Sequence, residues 1–180
     1  MKVIASLLLV AVLAMTALFA GAINLGMDLN EVKDTRVTDF INYMNENGIM
    51  DSRFYYYGVF LDNAGDYYVA LTPSGFEYGE DVRVYFDVDN VEMFWFSDVY
   101  VDDDNYLYVL YVINEFANSY RAWSTLYISN YDGCLSSTSI MSVAGLESCA
   151  EAIWSRLEPF VLLSDEGYTR VKAALSAPEE

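Results

Sequence analysis

The chain has 180 residues, of which 9 are Lys or Arg, 27 are Asp or Glu and none is His, giving a formal net charge of −18. This length fits a single domain, and an apolar fraction of 54% excludes a disordered acidic tail, because disorder accompanies high charge and low hydrophobicity. Without His the chain forms no Ser-His-Asp triad, Cys-His pair or His-ligated zinc site. The acidity also argues against nucleic acid as a partner, because phosphate binding depends on Lys and Arg.

Residues 1–22 have the pattern of a secretory signal peptide. Lys2 precedes an uncharged apolar run, and residues 20–22 supply the small side chains that a signal peptidase requires. The sequence therefore predicts cleavage after Ala22, an extracytoplasmic location (periplasm or medium) and one mature domain over residues 23–180 with no membrane contact. The alternative is a retained membrane anchor, since ~20 apolar residues are enough to span a bilayer.

Cys134 and Cys149 both lie in the part that would be exported. An isolated cysteine pair in an oxidising compartment usually forms a disulfide bond. The sequence therefore predicts a Cys134–Cys149 bond, which would stabilise the fold by ~3 kcal/mol on the chain-entropy estimate. The alternative is two buried thiols.

The first predicted element of the domain is an amphipathic helix over residues 29–46. Asp28 and Glu31 have the spacing of a capping box, and Gly48 provides a stop signal. Apolar residues recur between them at helical intervals. These residues are Val32, Val37, Phe40, Ile41 and Met44.

Four strand-like segments follow this helix. Residues 54–61 and 67–71 are rich in aromatic and β-branched residues and flank a short loop with Gly65, which predicts a β-hairpin. Residues 82–89 alternate apolar and polar side chains, as expected for a strand with one solvent-facing side. Residues 93–101 form the fourth strand.

Two more strands are predicted in the second half of the chain. Residues 106–116 are apolar on both faces, which indicates a strand covered on both sides. Residues 122–130 form the last strand, and residues 131–142 are small and polar, as in a loop.

Helical spacing returns near the end of the chain. It extends from Leu146 to Leu157, and Pro159 is expected to end or bend this helix. A short last helix follows from Ser164. The predicted order is one helix, about six strands joined by short turns, and one or two helices. This order indicates an α+β domain with an antiparallel sheet that the helices cover on one face.

The densest acidic cluster lies in one predicted turn and consists of Asp98, Asp102, Asp103 and Asp104. Calcium binds several oxygen ligands, so carboxylates crowded in a loop are a candidate site for this ion. Calcium is the one cofactor that the sequence suggests. The alternative is that these side chains bend the chain and keep the turn solvated.

Paired carboxylates are the remaining catalytic possibility. Asp87 and Asp89 are expected on one strand face, ~6–7 Å apart from the strand rise, a separation that glycosidases use. Among 27 acidic residues such a pair also arises by chance, so no catalytic residue is assigned.

Aromatic residues are the stronger candidates for a binding site. Tyr85, Trp123 and Tyr127 are expected on the polar sides of their strands, where such rings stack on sugars or pack against a protein partner. The alternative is that a helix covers this face and that the rings belong to the core.

The sequence thus predicts an exported, monomeric, non-catalytic binding domain. Removal of Lys2 leaves 8 basic and 27 acidic residues, a net charge of −19, which would keep the domain soluble and steer a cationic partner toward it. The predicted ligand is a basic protein or a glycan. Two alternatives are a small carboxylate-based glycan hydrolase and a membrane-anchored structural protein of the cell surface.

Overall fold

The computed structural model describes residues 26–50, 52–76, 79–120, 123–146 and 148–176. The predicted signal peptide lies outside these ranges. Among the helices found within them, none is both long enough and apolar enough to cross a membrane.

Three α-helices and one six-stranded sheet make up the described part of the chain, after a short 3₁₀ helix at Leu29–Glu31. The helices are α1 (Thr35–Glu46), α2 (Tyr106–Tyr120) and α3 (Ala150–Leu175). The strands are β1 (Phe54–Leu61), β2 (Tyr67–Pro73), β3 (Gly79–Phe86), β4 (Asn90–Tyr100), β5 (Thr125–Ile128) and β6 (Cys134–Ser142). They form the order β1-β2-β3-β4-β6-β5 with every pair antiparallel. The predicted α+β fold is confirmed.

The two faces of the sheet have different environments. Along β4, Met93 and Trp95 are fully buried beneath the helices, whereas Glu92, Phe94 and Phe96 are only partly buried on the opposite face. This alternation follows from the two-residue period of a strand. Helices α1 and α3 cover the first face, and no helix among the described residues covers the second, which we call the open face.

The start of α1 differs from the prediction. The Asp28 carboxylate caps only the 3₁₀ turn, after which Val32 is extended, and the Asp34 carboxylate then accepts a hydrogen bond from the backbone N–H of Arg36. The predicted single helix over residues 29–46 is therefore divided in two, because each aspartate satisfies the orphan donors of its own helix start.

The predicted strand over residues 106–116 is wrong, because this segment lies in α2. Val109, Ile113 and Phe116 are buried, with the spacing of one helical face. Leu107 and Tyr111 are 79% and 61% exposed. A segment that is apolar on every side fits a two-residue and a 3.6-residue period equally well, so its pattern could not separate strand from helix.

The predicted loop over residues 131–142 is also wrong, because it contains β6. This strand lies between β4 and β5 in the sheet, and its small side chains Ser136, Ser137 and Ser139 are buried. A run of serines has no apolar alternation to mark it as a strand. Tertiary hydrogen bonds such as that between Ser137 and the Tyr168 hydroxyl, 2.8 Å apart, satisfy these groups inside the protein.

Pro159 does not end the last helix, and α3 continues through it. Buried side chains lie on both sides of the proline, including Leu157, Phe160 and Val161. Their packing against the sheet outweighs the ~3 kcal/mol that an internal proline costs a helix.

Cys134 and Cys149 are not joined by a disulfide bond. Cys134 begins β6, whereas Cys149 follows the other end of that strand and lies close enough to Arg36 for the guanidinium charge to act on its thiol. Residues Cys134 to Ser142 span about 26 Å at the rise of a strand. A disulfide tolerates a Cα separation of only ~7 Å, so the predicted bond is not formed in this fold.

We therefore expect the purified protein to contain two titratable thiols and to melt at the same temperature with and without reductant. Burial raises the pKa of the Cys149 thiol, so this group should react with a thiol reagent only after unfolding. Thiol titration in native and denaturing buffer, combined with calorimetry with and without dithiothreitol, checks this. Absence of thiols in denaturant, with a melting temperature that falls on reduction, would contradict the described placement of the cysteines.

Candidate functional site

Aromatic rings form a continuous row across the open face, from β1 to β4. Neighbouring ring centroids are 4.8–6.4 Å apart, within the range in which aromatic rings attract one another. We call this row the aromatic ladder. Its members are Tyr57, Phe60, Tyr68, Tyr85, Phe94 and Phe96.

Strand register produces the ladder. Phe60 pairs with Tyr68, and Tyr68 pairs with Tyr85 on the next strand. Directly opposed side chains on antiparallel strands lie close enough for their rings to stack. Phe94 and Phe96 continue the same face on β4. The partly exposed rings therefore form one fixed surface, because each is held by its neighbour.

The ladder holds one cation of the chain itself, the guanidinium of Arg83. This group lies 4.9 Å from the ring centroid of Phe96 and 5.8 Å from that of Tyr68. Its Nε donates a hydrogen bond of 3.1 Å to the Asp81 carboxylate. The open face therefore already seats a guanidinium between ring faces and a carboxylate.

A groove of about 460 Å³ lies along the end of the ladder nearest the β1–β2 and β3–β4 turns, a volume typical of ligand sites. We call it the acidic groove. Its aromatic floor consists of Tyr85, Phe94, Phe96 and Tyr127. Its carboxylates are Asp62, Asp66, Asp87 and Glu92. None of the described residues that line it is basic, so its charge is uncompensated from within.

Three of the four groove carboxylates differ in the contacts that they make. The Asp62 carboxylate accepts hydrogen bonds from the backbone N–H groups of residues 64–66 at 2.8–2.9 Å and so fixes the β1–β2 hairpin. The Asp87 carboxylate accepts a bond from the N–H of Val88. Glu92 forms no side-chain hydrogen bond or ion pair with other described residues. Glu92 therefore has its full hydrogen-bonding capacity available for a ligand.

Tyr85 and Tyr127 lie together in the acidic groove, whereas Trp123 does not. The ring of Trp123 lies beneath the guanidinium of Arg156, at 5.0 Å, and Arg156 belongs to α3 on the helix-covered side. The expectation that Trp123 shares a strand face with Tyr127 is wrong, because β5 begins only at Thr125. Strand alternation does not extend to a residue before the strand.

Phe94 and Phe96 were missed as site residues. They lie in a segment predicted as a strand, and the buried Trp95 between them marks them as belonging to the open face. The alternation was therefore visible in the sequence. The alternation could not show which strands lie beside β4, because β6 was not recognised as a strand.

The calcium candidates are not gathered into a metal site. The Asp102 carboxylate accepts bonds from the backbone N–H and the side-chain amide of Asn105, at 2.9 and 2.8 Å, and so forms the turn before α2. Asp98, Asp103 and Asp104 are exposed. In the described ranges no three acidic or cysteine side chains are arranged to hold a metal ion. Calcium binding at this turn stays a prediction.

The expected position of Asp87 and Asp89 on one strand face is corrected by the structure. Strand β3 ends at Phe86, and both aspartates lie in the turn before β4. There the Asp89 carbonyl accepts a hydrogen bond from the N–H of Val143. Two side chains in a tight turn do not follow the two-residue period of a strand.

The arrangement suits the binding of a cation. Aromatic faces attract cations through their quadrupole, and carboxylates around an apolar floor add charge-assisted hydrogen bonds. Comparison of the chain with protein-family models, with curated proteins and with solved structures found no match.

Proposed function

We propose that this protein is an exported, non-catalytic binding protein that holds a basic protein on the open face of its sheet. The observation that carries the proposal is the acidic groove, whose aromatic floor is surrounded by four carboxylates and has no basic residue among its described lining. A surface with this chemistry attracts ammonium and guanidinium groups.

The charge of the whole chain supports the same kind of partner. A net charge of −18 creates a field that draws a cationic protein toward the surface and increases the association rate, and salt weakens this effect. A neutral glycan would gain nothing from this field. We therefore favour a basic protein over a glycan.

Glycoside hydrolysis needs two carboxylates that flank the scissile bond, one as acid and one as nucleophile or base, whereas the Asp62 carboxylate of the groove is bound to three backbone N–H groups of its own hairpin. The carboxylate pair expected on β3 is part of a turn instead. These two observations support binding over glycan hydrolysis.

The test is isothermal titration of the purified protein with a short peptide of alternating arginine and serine. We expect Tyr85→Ala to weaken binding by roughly tenfold, because a cation–ring contact of this kind is worth about 1–2 kcal/mol. Raising the salt from low to physiological concentration should weaken binding further. Circular dichroism confirms that each variant is folded.

Trp123→Ala is the matched control, because it also removes a partly exposed ring but lies outside the groove. It should bind the peptide as the wild type does. Equal losses of peptide affinity in Tyr85→Ala and Trp123→Ala, or an affinity that does not change with salt, would contradict the proposal. Binding of a neutral glucose oligosaccharide in place of the peptide, reduced by Tyr85→Ala, would show the partner to be a glycan.

A further inference from the structure

Within the proposed function, on which this inference rests, we infer that the acidic groove binds an arginine side chain of the partner protein. The basis is that the open face already contains one complete guanidinium site, built around Arg83. The groove beside it contains the same kinds of group without a cation.

The Arg83 site shows which contacts this surface offers to a guanidinium. Phe96 and Tyr68 supply ring faces at 4.9 and 5.8 Å, and Asp81 supplies a carboxylate. A guanidinium uses both at once, because it is planar, stacks on rings and donates several hydrogen bonds in its plane. Ring faces and carboxylate act here on one cation.

The acidic groove repeats this combination on the neighbouring part of the face. Phe96 contributes to both places, since it contacts Arg83 and also lines the groove. Phe94 and Tyr85 extend the ring surface, and Glu92 lies opposite Tyr85 in the strand register. A carboxylate that forms no hydrogen bond or ion pair with other described residues therefore lies beside two rings of the ladder.

The described arginines of the chain are engaged elsewhere and do not line the groove. Arg83 borders the groove through Phe96, but its guanidinium is already bonded to Asp81. Lys33 and Arg36 line a separate depression next to the same hairpin. Each arginine in the described ranges has its own contact: Arg36 with Asp34, Arg53 with Glu158, Arg83 with Asp81, Arg156 with Trp123 and Arg170 with Glu166. Since no basic side chain among the described residues lines the groove, we expect its cation to come from a partner. A second copy of this acidic chain would be repelled.

Arginine fits the groove better than lysine does. The guanidinium is less strongly hydrated than an ammonium, so it loses less solvation when it leaves water for an aromatic floor. It also reaches two carboxylate oxygens at once. A groove of about 460 Å³ has room for the side chain and part of the adjoining peptide.

The experiment compares three peptides in titrations at low salt. They are the arginine–serine peptide and its counterparts with lysine or with citrulline, the neutral isostere of arginine, at every arginine position. We expect the arginine peptide to bind roughly tenfold more tightly than the citrulline peptide and about threefold or more tightly than the lysine peptide. The reason is the added strength of charge-assisted and stacked contacts. Ring-proton shifts of Phe94 and Tyr85 should follow the arginine titration.

Two variants with the same change in net charge locate the site. Glu92→Gln removes a groove carboxylate and should weaken arginine-peptide binding by roughly tenfold, the effect of losing one charge-assisted hydrogen bond. Glu115→Gln removes an exposed carboxylate on α2, a helix that contributes no residue to the groove lining. This variant should bind within about twofold of wild type, because surface charges outside the site are screened.

The outcomes separate this inference from the proposed function. Equal binding of the arginine and lysine peptides, or equal effects of the two glutamine variants, would overturn the arginine site. If Tyr85→Ala still weakens the binding of the arginine and lysine peptides, the basic-partner proposal stands. If no peptide binds, or if Tyr85→Ala binds like wild type, both fail.

Discussion

Tyr168→Phe is expected to lower the free energy of unfolding by about 1–3 kcal/mol, the cost of leaving buried polar groups without a partner. The Tyr168 side chain is completely buried, and its hydroxyl lies 2.5 Å from the Trp95 carbonyl, to which it donates, and 2.8 Å from Ser137 Oγ. It therefore joins α3 to two neighbouring strands. The ring itself stays in place in the variant, so the loss measures the hydroxyl alone.

The same substitution should change how stability depends on pH. Burial raises the pKa of Tyr168 well above its usual value. Above pH ~10 the unfolded chain releases this proton while the folded chain keeps it, so stability is lost as the pH rises, by about 1.4 kcal/mol per pH unit for one proton. Tyr168→Phe lacks this proton and should show a shallower decline.

Chemical denaturation of both proteins between pH 8 and pH 11 checks this prediction. Tyr127, whose pKa is also raised by burial, provides a control. Its hydroxyl does not make the two buried hydrogen bonds that the Tyr168 hydroxyl makes, so Tyr127→Phe should lose less stability at neutral pH. Parallel pH profiles for wild type and Tyr168→Phe would contradict the described environment of the hydroxyl.

Gly167→Ala is expected to destabilise the protein although it places a better helix former in the middle of α3. A Cβ at residue 167 would lie 2.5 Å from Cδ1 of Leu126 and 3.2 Å from its Cδ2, and Leu126 is buried on β5. Overpacking costs about 1–3 kcal/mol, against about 1 kcal/mol gained from helix propensity. The clash should therefore win, with a net loss of about 1 kcal/mol.

A double-mutant cycle separates the clash from other effects of the alanine. Leu126→Ala alone should cost about 2–5 kcal/mol, because it leaves a cavity in the core. In that background Gly167→Ala should be neutral or stabilising by up to about 1 kcal/mol, since only the helix propensity remains. Equal effects of Gly167→Ala in both backgrounds, measured by urea unfolding, would show that α3 and β5 do not pack as described.

The sequence was most informative where one face of an element is wet and the other is buried. The alternation around Val84 and Tyr85 identified β3 and placed Tyr85 on the open face, and the paired runs around Gly65 identified the first hairpin, where this glycine has a positive φ of 94°. Such patterns are local, so the sequence displays them directly.

The sequence was least informative where contacts between distant parts of the chain decide the structure. The serines of β6 are strand residues because β4, β5 and α3 surround them, as the contact between Ser137 and Tyr168 illustrates. The groove depends on the same information: Tyr85 and Tyr127 are brought together by strand order, and Glu92 becomes a candidate ligand through its register with Tyr85. Single residues were predictable, but their juxtaposition was not.

The capping of the first hairpin by Asp62 has a consequence for the energetics of association. Three backbone N–H groups converge on this one carboxylate, so the loop that presents Asp66 is rigid before any partner arrives. The aromatic rings are likewise held by their neighbours. Preorganisation of this kind reduces the entropy lost on complex formation, and most of the ordering then falls on the incoming polypeptide. If the groove takes an arginine as proposed, a partner that already presents this residue in an extended segment should bind more tightly than one that must become ordered.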